Sequence, residues 1–357
     1  MTTTVPAPSP EEIEAFLGRF VVDMGAVAAG ANVVLGDRLG LYAALAENQP
    51  ATPDAVADAT GTDPRYVAEW LRGQAAGGYV EYDATTGTFA LTPAQAACLA
   101  DETSPTYVAG AFQIATSLYK DLDRLEQSYR SGAGVGWHEH DADLFVGTER
   151  FFRPGYVAHL VTEWIPALDG VEAKLLSGAT VADIGCGHGA STLILAEAYP
   201  KSTFVGFDYH EESIRAASKS AGAAGVSDRV RFEVAGAADY PGTGYDLVAV
   251  FDALHDMGDP AGASRHVLDS LDADGTWLIV EPNSDDDVAA NLNPVGRIFY
   301  SASSMICVPA SRAQQVGACL GAQAGPAAIE RVVREGGFTR FRAATSTPFN
   351  LVFEARP

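Results

Sequence analysis

Apolar residues in the first fifty positions recur three and four apart, with Phe16, Phe20 and Val21 followed by Leu39, Leu41 and Leu45 between Glu11 and Glu47. That spacing lines one face of a helix. Two more helix starts follow at Thr52-Pro53 and Asp63-Pro64, where a side-chain oxygen can accept from the free N–H groups of a first turn and the missing N–H of proline costs nothing. Val67, Trp70, Leu71 and Gln74 share one face of the second, and Gly77-Gly78 ends it. The runs Tyr79–Tyr82 and Thr88–Leu91 then read as two strands joined by a turn through Asp83 and Gly87. From Thr180 the texture changes to short β-branched runs between helical stretches: Thr180–Ile184, Thr203–Asp208, Val230–Val234, Tyr245–Phe251 and Thr276–Glu281. A helix opening at Pro326 leads to a terminal hairpin, Phe341–Thr347 and Asn350–Ala355. Strands alternating with helices predict an α/β fold in which a largely parallel sheet carries helices on both faces.

These textures divide the 357 residues into an N-terminal helical, winged-helix-like domain over 1–100, a helical connector over 101–150, and an α/β domain over 151–357. The connector holds a Gly-rich break, Ser131–Gly136, followed by Trp137 and then by the run Phe151–Tyr156. Such a stretch fits a lid over a site or plain packing between domains. An insertion over 282–325 contains Asn291, Asn293, Arg297, Tyr300, Ser303, Met305, Cys307 and Pro309. Its aromatic, sulfur and amide groups suit the roof of a pocket for a medium-sized, partly apolar molecule.

Composition narrows the partners. A net charge of −23 repels phosphate backbones and opposes the counterion release that drives nucleic-acid binding. The helix that would enter a DNA groove sets Asp63 and Glu69 against Arg65 and Arg72, so the winged-helix shape is expected to serve dimerisation or pocket formation. Val21, Val33, Leu35, Leu41 and Tyr42 suit packing between subunits of a homodimer, or a core within one chain. Met1–Pro10 reads as a loose terminus without an export signal, and no apolar run reaches the roughly 18–20 residues that span a bilayer. A cytoplasmic protein without a membrane partner is expected. Cys98, Cys186, Cys307 and Cys319 form no CxxC pair, which favours reduced thiols, with Cys307 a packing residue. His138 and His140 bracket Glu139 as either a metal-binding cluster or a solvated loop; no pattern requires a metal.

The chemistry concentrates after the strands, where open α/β sheets bind their ligands. Strand one runs into Asp183-Ile184-Gly185-Cys186-Gly187-His188-Gly189, a D-x-G-x-G-x-G loop opening a helix near Ala190. Glycine there lets the backbone turn tightly and approach a ligand. Asp208 closes strand two, placed to accept from two ribose hydroxyls. The spacing differs from the G-x-G-x-x-G that meets a pyrophosphate at a helix N-terminus, and Asp183 suits a positively charged ligand.

On these residues the chain resembles the class I S-adenosylmethionine-dependent methyltransferases from about residue 150 onward. With the N-terminal half included, it is similar to an actinobacterial group of them that carries a winged-helix domain. The resemblance implies a doubly wound, seven-stranded Rossmann-like sheet, with S-adenosylmethionine as cofactor and S-adenosylhomocysteine as product. It places Asp183 near the donor's positive charge, Gly185 and Gly187 along its methionine part, Asp208 on the ribose and Tyr209 beside the adenine. Ala237 and Ala238, in the loop ending at Asp239, take the adenine edge, and Phe251 belongs to the cofactor wall.

The stretch Phe251–Pro260 further resembles the His-Asp-Trp region of small-molecule O-methyltransferases, which implies that His255 is the general base for an acceptor hydroxyl. Imidazole suits the task because its pKa lies near neutrality. Glu281, ending strand five, matches the acid that positions this histidine. Met257 stands where tryptophan is usual, and Gln323 is the nearest match to a second acidic partner. Read without the resemblance, His255 is also a helix-start histidine and Glu281 a carboxylate capping a loop. The expectation is methyl transfer to a small molecule, on oxygen, with nitrogen or carbon as alternatives. A regulator that senses S-adenosylmethionine is the reading of another class, and it needs a basic wing.

Overall fold

A computed structural model describes residues 7–357. Residues 1–6, most of the stretch expected as a loose terminus, lie outside the described residues. Ser9 and Pro10 are already structured. The Ser9 hydroxyl accepts from the Glu12 N–H at 3.2 Å while the Glu12 carboxylate accepts from the Ser9 N–H at 2.7 Å, a capping box opening helix α1 (Pro10–Arg38). The chain forms two compact units that part between Thr116 and Ser117.

In the first unit α1 is followed by α2 (Leu41–Asn48), α3 (Pro53–Thr60), α4 (Pro64–Ala76), strands β1 (Glu81–Asp83) and β2 (Thr88–Ala90), and α5 (Pro93–Leu99). The expected caps are present: Thr52 accepts from the Ala55 N–H at 3.3 Å, and Asp63 from those of Arg65 and Tyr66 at 2.9 and 3.2 Å. Val67, Trp70, Leu71 and Gln74 are the buried face of α4. Gln74 is tolerated there because it accepts the Tyr42 hydroxyl at 2.7 Å. Gly36 of α1 lies so close to Trp70 that a Cβ would stand 2.3 Å from the indole. The first strand begins later than its apolar run suggests, since the Tyr79 N–H is spent on Gln74 O, closing the end of α4.

Two expectations for this unit change. Helix α1 is long and apolar enough, by length and composition, to cross a bilayer. Arg19 and Asp23 interrupt the apolar residues, so no unbroken run reveals it, whereas the average along the helix does. Its buried residues, Gly30, Val33, Val34 and Gly36, lie in its final third. Among the residues expected between subunits, Val33, Leu41 and Tyr42 belong to the unit's own core, and Val21 and Leu35 are exposed.

Helix α6 (Ala109–Lys120) leads on to α7 (Leu122–Ser131), α8 (Ala142–His159) and α9 (Val171–Ser177). The run Phe151–Tyr156, expected with the Gly-rich break as lid or packing, is a helical part of α8 with Pro154 inside it. The sheet consists of β3 (Thr180–Ile184), β4 (Thr203–Asp208), β5 (Val230–Val234), β6 (Tyr245–Phe251), β7 (Leu271–Pro282), β8 (Arg340–Ser346) and β9 (Asn350–Arg356), in the order β5-β4-β3-β6-β7-β9-β8. Strands β3 to β7 are parallel and β9 runs against its two neighbours. This is the doubly wound, seven-stranded sheet expected from the sequence. β7 starts earlier than expected because Leu271 pairs with Tyr245 before a bulge.

Alternate strand residues feed two cores. Leu247, Ala249, Leu278 and Val280 pack on one face with Leu160, Trp164 and Leu195, while Val248, Val250, Trp277 and Ile279 pack on the other with Val333 and Phe338. Burying each large apolar side chain contributes about 1.5–3 kcal/mol. The remaining helices are α10 (Ala190–Ala198), α11 (Glu211–Ala224), α12 (Pro260–Ser270), α13 (Pro294–Met305), α14 (Cys307–Ala313) and α15 (Gly325–Glu335). Between β3 and β6 the strand order reverses, so the loops leaving these neighbours part in opposite directions and open a crevice at their carboxyl ends.

Candidate active site

The glycine loop shapes one side of that crevice. The Gly185 and Cys186 N–H groups both donate to Phe207 O, at 2.8 and 3.1 Å, which folds the loop across the end of β4. Gly185 and Gly187 have φ of +72° and +52°, a region that side chains disfavour. A Cβ on Gly187 would meet no protein atom within 4 Å, so the room beside it belongs to the crevice. Asp208 is oriented by backbone: one oxygen accepts from the Gly187 N–H at 3.0 Å and the other from the His210 N–H at 2.8 Å. Burial raises its pKa, and these two bonds oppose the rise. Asp183 lies beneath the loop, accepting the Ser191 and Thr192 hydroxyls at 2.7 and 2.6 Å. Burial pushes its pKa up to about 6 against those hydrogen bonds.

The crevice is a cavity of about 370 Å³. Gly185, Gly187, Asp208, Tyr209, Ala237 and Phe251 line it, Trp137 and Phe145 stand beside them with Phe145 on the His210 ring, and Phe152, Tyr156, Met257 and Ala310 add further apolar and aromatic lining. Its charged wall residues are Glu149, Asp208, Asp252 and Asp256, with the imidazoles of His138 and His188; none is Lys or Arg. Glu149 and His188 meet at 3.0 Å.

Behind the wall lies a buried charge network. β6 ends in Asp252, held at a φ of +50°, whose carboxylate accepts the Tyr156 hydroxyl at 3.0 Å and an Asn350 N–H at 2.9 Å. A single turn follows, Leu254–Asp256. His255 is 3% exposed, with Nδ1 2.5 Å from Glu281 Oε2 and Nε2 3.1 Å from Asp256 Oδ1. The other Glu281 oxygen accepts from the Leu254 N–H at 3.0 Å, so one carboxylate fixes both the turn and the ring. Burial on its own lowers the imidazole pKa, but Asp256 and Glu281 more than reverse this and hold it well above its ordinary value.

The insertion clamps that turn. Gln314 accepts from the Gly258 N–H at 2.9 Å and donates to Asp256 O at 2.9 Å and Ala310 O at 3.1 Å. The Ser311 hydroxyl donates to Met257 O at 2.8 Å. The Gly-rich segment is tied to the same helix: Val135 N–H donates to Pro309 O at 3.0 Å, and a Cβ on Gly134 would stand 2.0 Å from Ala313 N.

With the geometry established, the comparisons decide the class. Residues 175–337 match the family described as methyltransferase domain, and residues 27–101 the Rv2258c-like winged HTH domain. The chain carries a methyltransferase domain. The methyltransferase is similar in fold to human N-acetylserotonin methyltransferase in complex with S-adenosylmethionine (16% identity, 98% of this chain and 99% of that one, TM-score 0.71). It is also similar to the mitomycin 7-O-methyltransferase MmcR (20%, 97% and 99%, 0.68). A third is CalO1, a methyltransferase in calicheamicin biosynthesis, in its S-adenosylhomocysteine-bound form (19%, 98% and 100%, 0.63). No curated protein matches the sequence.

Several residues singled out in the methyltransferase sequence border the cavity together: Gly185, Gly187, Asp208, Tyr209, Ala237 and Phe251. Asp183 and Ala238 are not on its wall. Asp239 turns inward on its own loop, accepting from the Gly236 N–H at 2.9 Å. His255 and Glu281 are together but sit behind Asp256 and Met257, which line the cavity. Gln323 does not join them; its amide donates to Ala322 O and Asn283 O. The second carboxylate at the ring is Asp256, on Nε2. His140 is paired with Asp121 at 2.8 Å, the Glu139 carboxylate accepts the Gly136 N–H at 2.6 Å, and His138 meets the edge of the Tyr209 ring, so this trio points three ways. The sequence reading included Tyr156, Asp252 and Asp256 only within longer runs and gave none of them a role of its own. The two aspartates were detectable as acids directly after a central strand, whereas Tyr156, 96 residues before Asp252, carries no local signal.

Proposed function

We propose that the protein transfers the methyl group of S-adenosylmethionine to a hydroxyl oxygen of an uncharged or cationic small molecule, with His255 as general base. The observation that carries this is the pairing of a wall carboxylate preset by backbone N–H groups (Asp208) with a buried imidazole, oriented by Glu281, directly behind the wall residue Asp256. The wall fits the donor: S-adenosylmethionine carries a sulfonium and an ammonium, and four carboxylates face the space without a Lys or Arg. When bound it supplies a methyl group to an attacking oxygen in one displacement. Asp208 accepts from the ribose hydroxyls, Gly185 and Gly187 leave room for the backbone to approach, and Tyr209 and Ala237 flank the base. Asp183 acts from beneath by fixing the start of α10.

Near Asp252 and Asp256, Phe152, Tyr156, Met257 and Ala310 exclude water around an apolar acceptor and hold it in line. Orientation of this kind supplies roughly 7–11 kcal/mol of barrier lowering. As the new bond forms, Asp256 on the wall takes the hydroxyl proton and passes it to His255 Nε2 behind it, and Glu281 on Nδ1 stabilises the imidazolium. The absence of Lys and Arg from the wall argues against carboxylated or phosphorylated acceptors.

Calorimetric titration with S-adenosylmethionine and S-adenosylhomocysteine, beside Asp208→Ala, tests the cofactor site. The variant is expected to bind at least about 100-fold more weakly, since hydrogen bonds to a charged group contribute about 1.5–3 kcal/mol each. Equal affinity in both proteins removes Asp208 from the site. We further propose a homodimer in which a second copy covers the exposed apolar residues of α1, Phe16, Phe20 and Val21 among them. Light scattering should then give twice the 37.3 kDa chain mass; the single mass rejects the dimer. The four cysteines are free, which suits a reducing, cytoplasmic setting.

A further inference from the structure

A ring nitrogen of His255, a carboxylate oxygen of Asp256 and Cys307 Sγ lie within 4.8 Å of one another, brought together by the turn after β6 and the first residue of α14. The imidazole and the thiol are buried. Asp256 Oδ1 is also buried, 3.1 Å from Nε2. On the protonated ring Nε2 donates to that oxygen, and the thiol lies against both groups. A divalent cation replaces the protons on nitrogen and sulfur and takes all three donors at once.

The donor set selects the cation. Nitrogen, oxygen and sulfur together form a borderline-soft set that favours zinc over magnesium or calcium. Three protein ligands and one open position is the count of an exchangeable zinc site. Bonds of about 2.0–2.3 Å hold tetrahedral ligands roughly 3.5 Å apart, inside the present spread. Glu281 on the far ring nitrogen is the carboxylate that orients a ligating histidine. Asp256 is part of the cavity wall, which gives the ion a way in.

We propose that His255, Asp256 and Cys307 form a binding site for a zinc-like divalent cation entering from the cavity. The thiol and the imidazole Nε2 each lose a proton to solvent as the metal–sulfur and metal–nitrogen bonds form. Occupancy takes the Nε2 lone pair that would receive the acceptor's proton, so the ion switches methyl transfer off. That consequence rests on His255 being the base, whereas the site itself does not.

The test is titration of chelator-treated protein with cobalt(II). One equivalent should bind with a thiolate-to-cobalt charge-transfer absorption in the near ultraviolet. Cys307→Ser should lose that band, and Glu281→Gln should bind about 10–100-fold more weakly. Circular dichroism checks that each variant is folded, and Asp256→Asn, also expected to weaken binding, replaces Cys307→Ser if the latter is not. No saturable binding, or an unchanged band in folded Cys307→Ser, overturns the site. S-adenosylhomocysteine is titrated alongside. Its binding without cobalt binding removes the metal site alone, and cobalt binding without it removes the cofactor assignment alone. With zinc saturating, turnover of the wild type should fall at least tenfold, and unchanged turnover overturns the switch.

Discussion

The two ends of the cavity hold their charges by different means. At the glycine loop, Asp208 receives N–H groups from Gly187 and His210, so backbone fixes it whatever its neighbours do. At the far end Glu281, His255 and Asp256 hold one another, and each depends on the protonation of the next. A carboxylate set by main chain makes a dependable clamp for a hydroxylated ligand. A chain of buried ionisable side chains makes a centre whose strength varies with pH. In the function proposed above, binding and proton transfer fall to separate pieces of the fold, and each can be broken without the other.

Replacing the imidazole is the most severe way to break the second end. His255→Ala is expected to lower kcat by about 10²–10⁴-fold, the span of general-base catalysis, while cofactor affinity stays within a few-fold. Unchanged kcat would return His255 to a structural role. A finer probe is the pH profile. Because Asp256 and Glu281 hold the imidazole protonated well above its ordinary pKa, wild-type kcat/KM should still be rising with pH above neutrality. Glu281→Gln removes one of the two negative charges, the imidazole gives up its proton more easily, and the rising limb should move to lower pH. A limb in the same place would show that the titrating group is elsewhere. The same linkage bears on stability: a raised folded-state pKa stabilises fully below the unfolded value, and that stabilisation fades as pH climbs through the folded one. The mildest effect tests the roof alone. Gly134→Ala forces a methyl group against Ala313 N and should cost about 1–3 kcal/mol, read as a lower Tm, with Asp208's end of the cavity still binding S-adenosylhomocysteine. An unshifted Tm would mean that the segment yields.

The same division governs what could be seen in the sequence. The glycine loop and Asp208 were legible because their constraint is local: positive-φ glycines in one short run, and an acid at the end of the next strand. The parallel strands were legible for a like reason, being short β-branched runs with helices between. The far end was half legible. His255 and Glu281 follow consecutive sheet strands, but the partner at Nε2 proved to be Asp256 rather than Gln323, because the choice depends on how the insertion packs. Tyr156, Asn350 and Asp252 meet from three distant segments, which no spacing announces. In the first unit, the α4 face was written in its periodicity, whereas the extent of the apolar surface on α1 is obscured by Arg19 and Asp23.

Gln314 closes three bonds across the joint between the insertion and the His255 turn. Swinging the roof away would break all three together. Tyr209 is tethered as well, against the His138 ring edge and the backbone of His138 and Trp137. One glutamine therefore ties the roof to the turn that carries His255, so a displacement of the roof is transmitted to the imidazole.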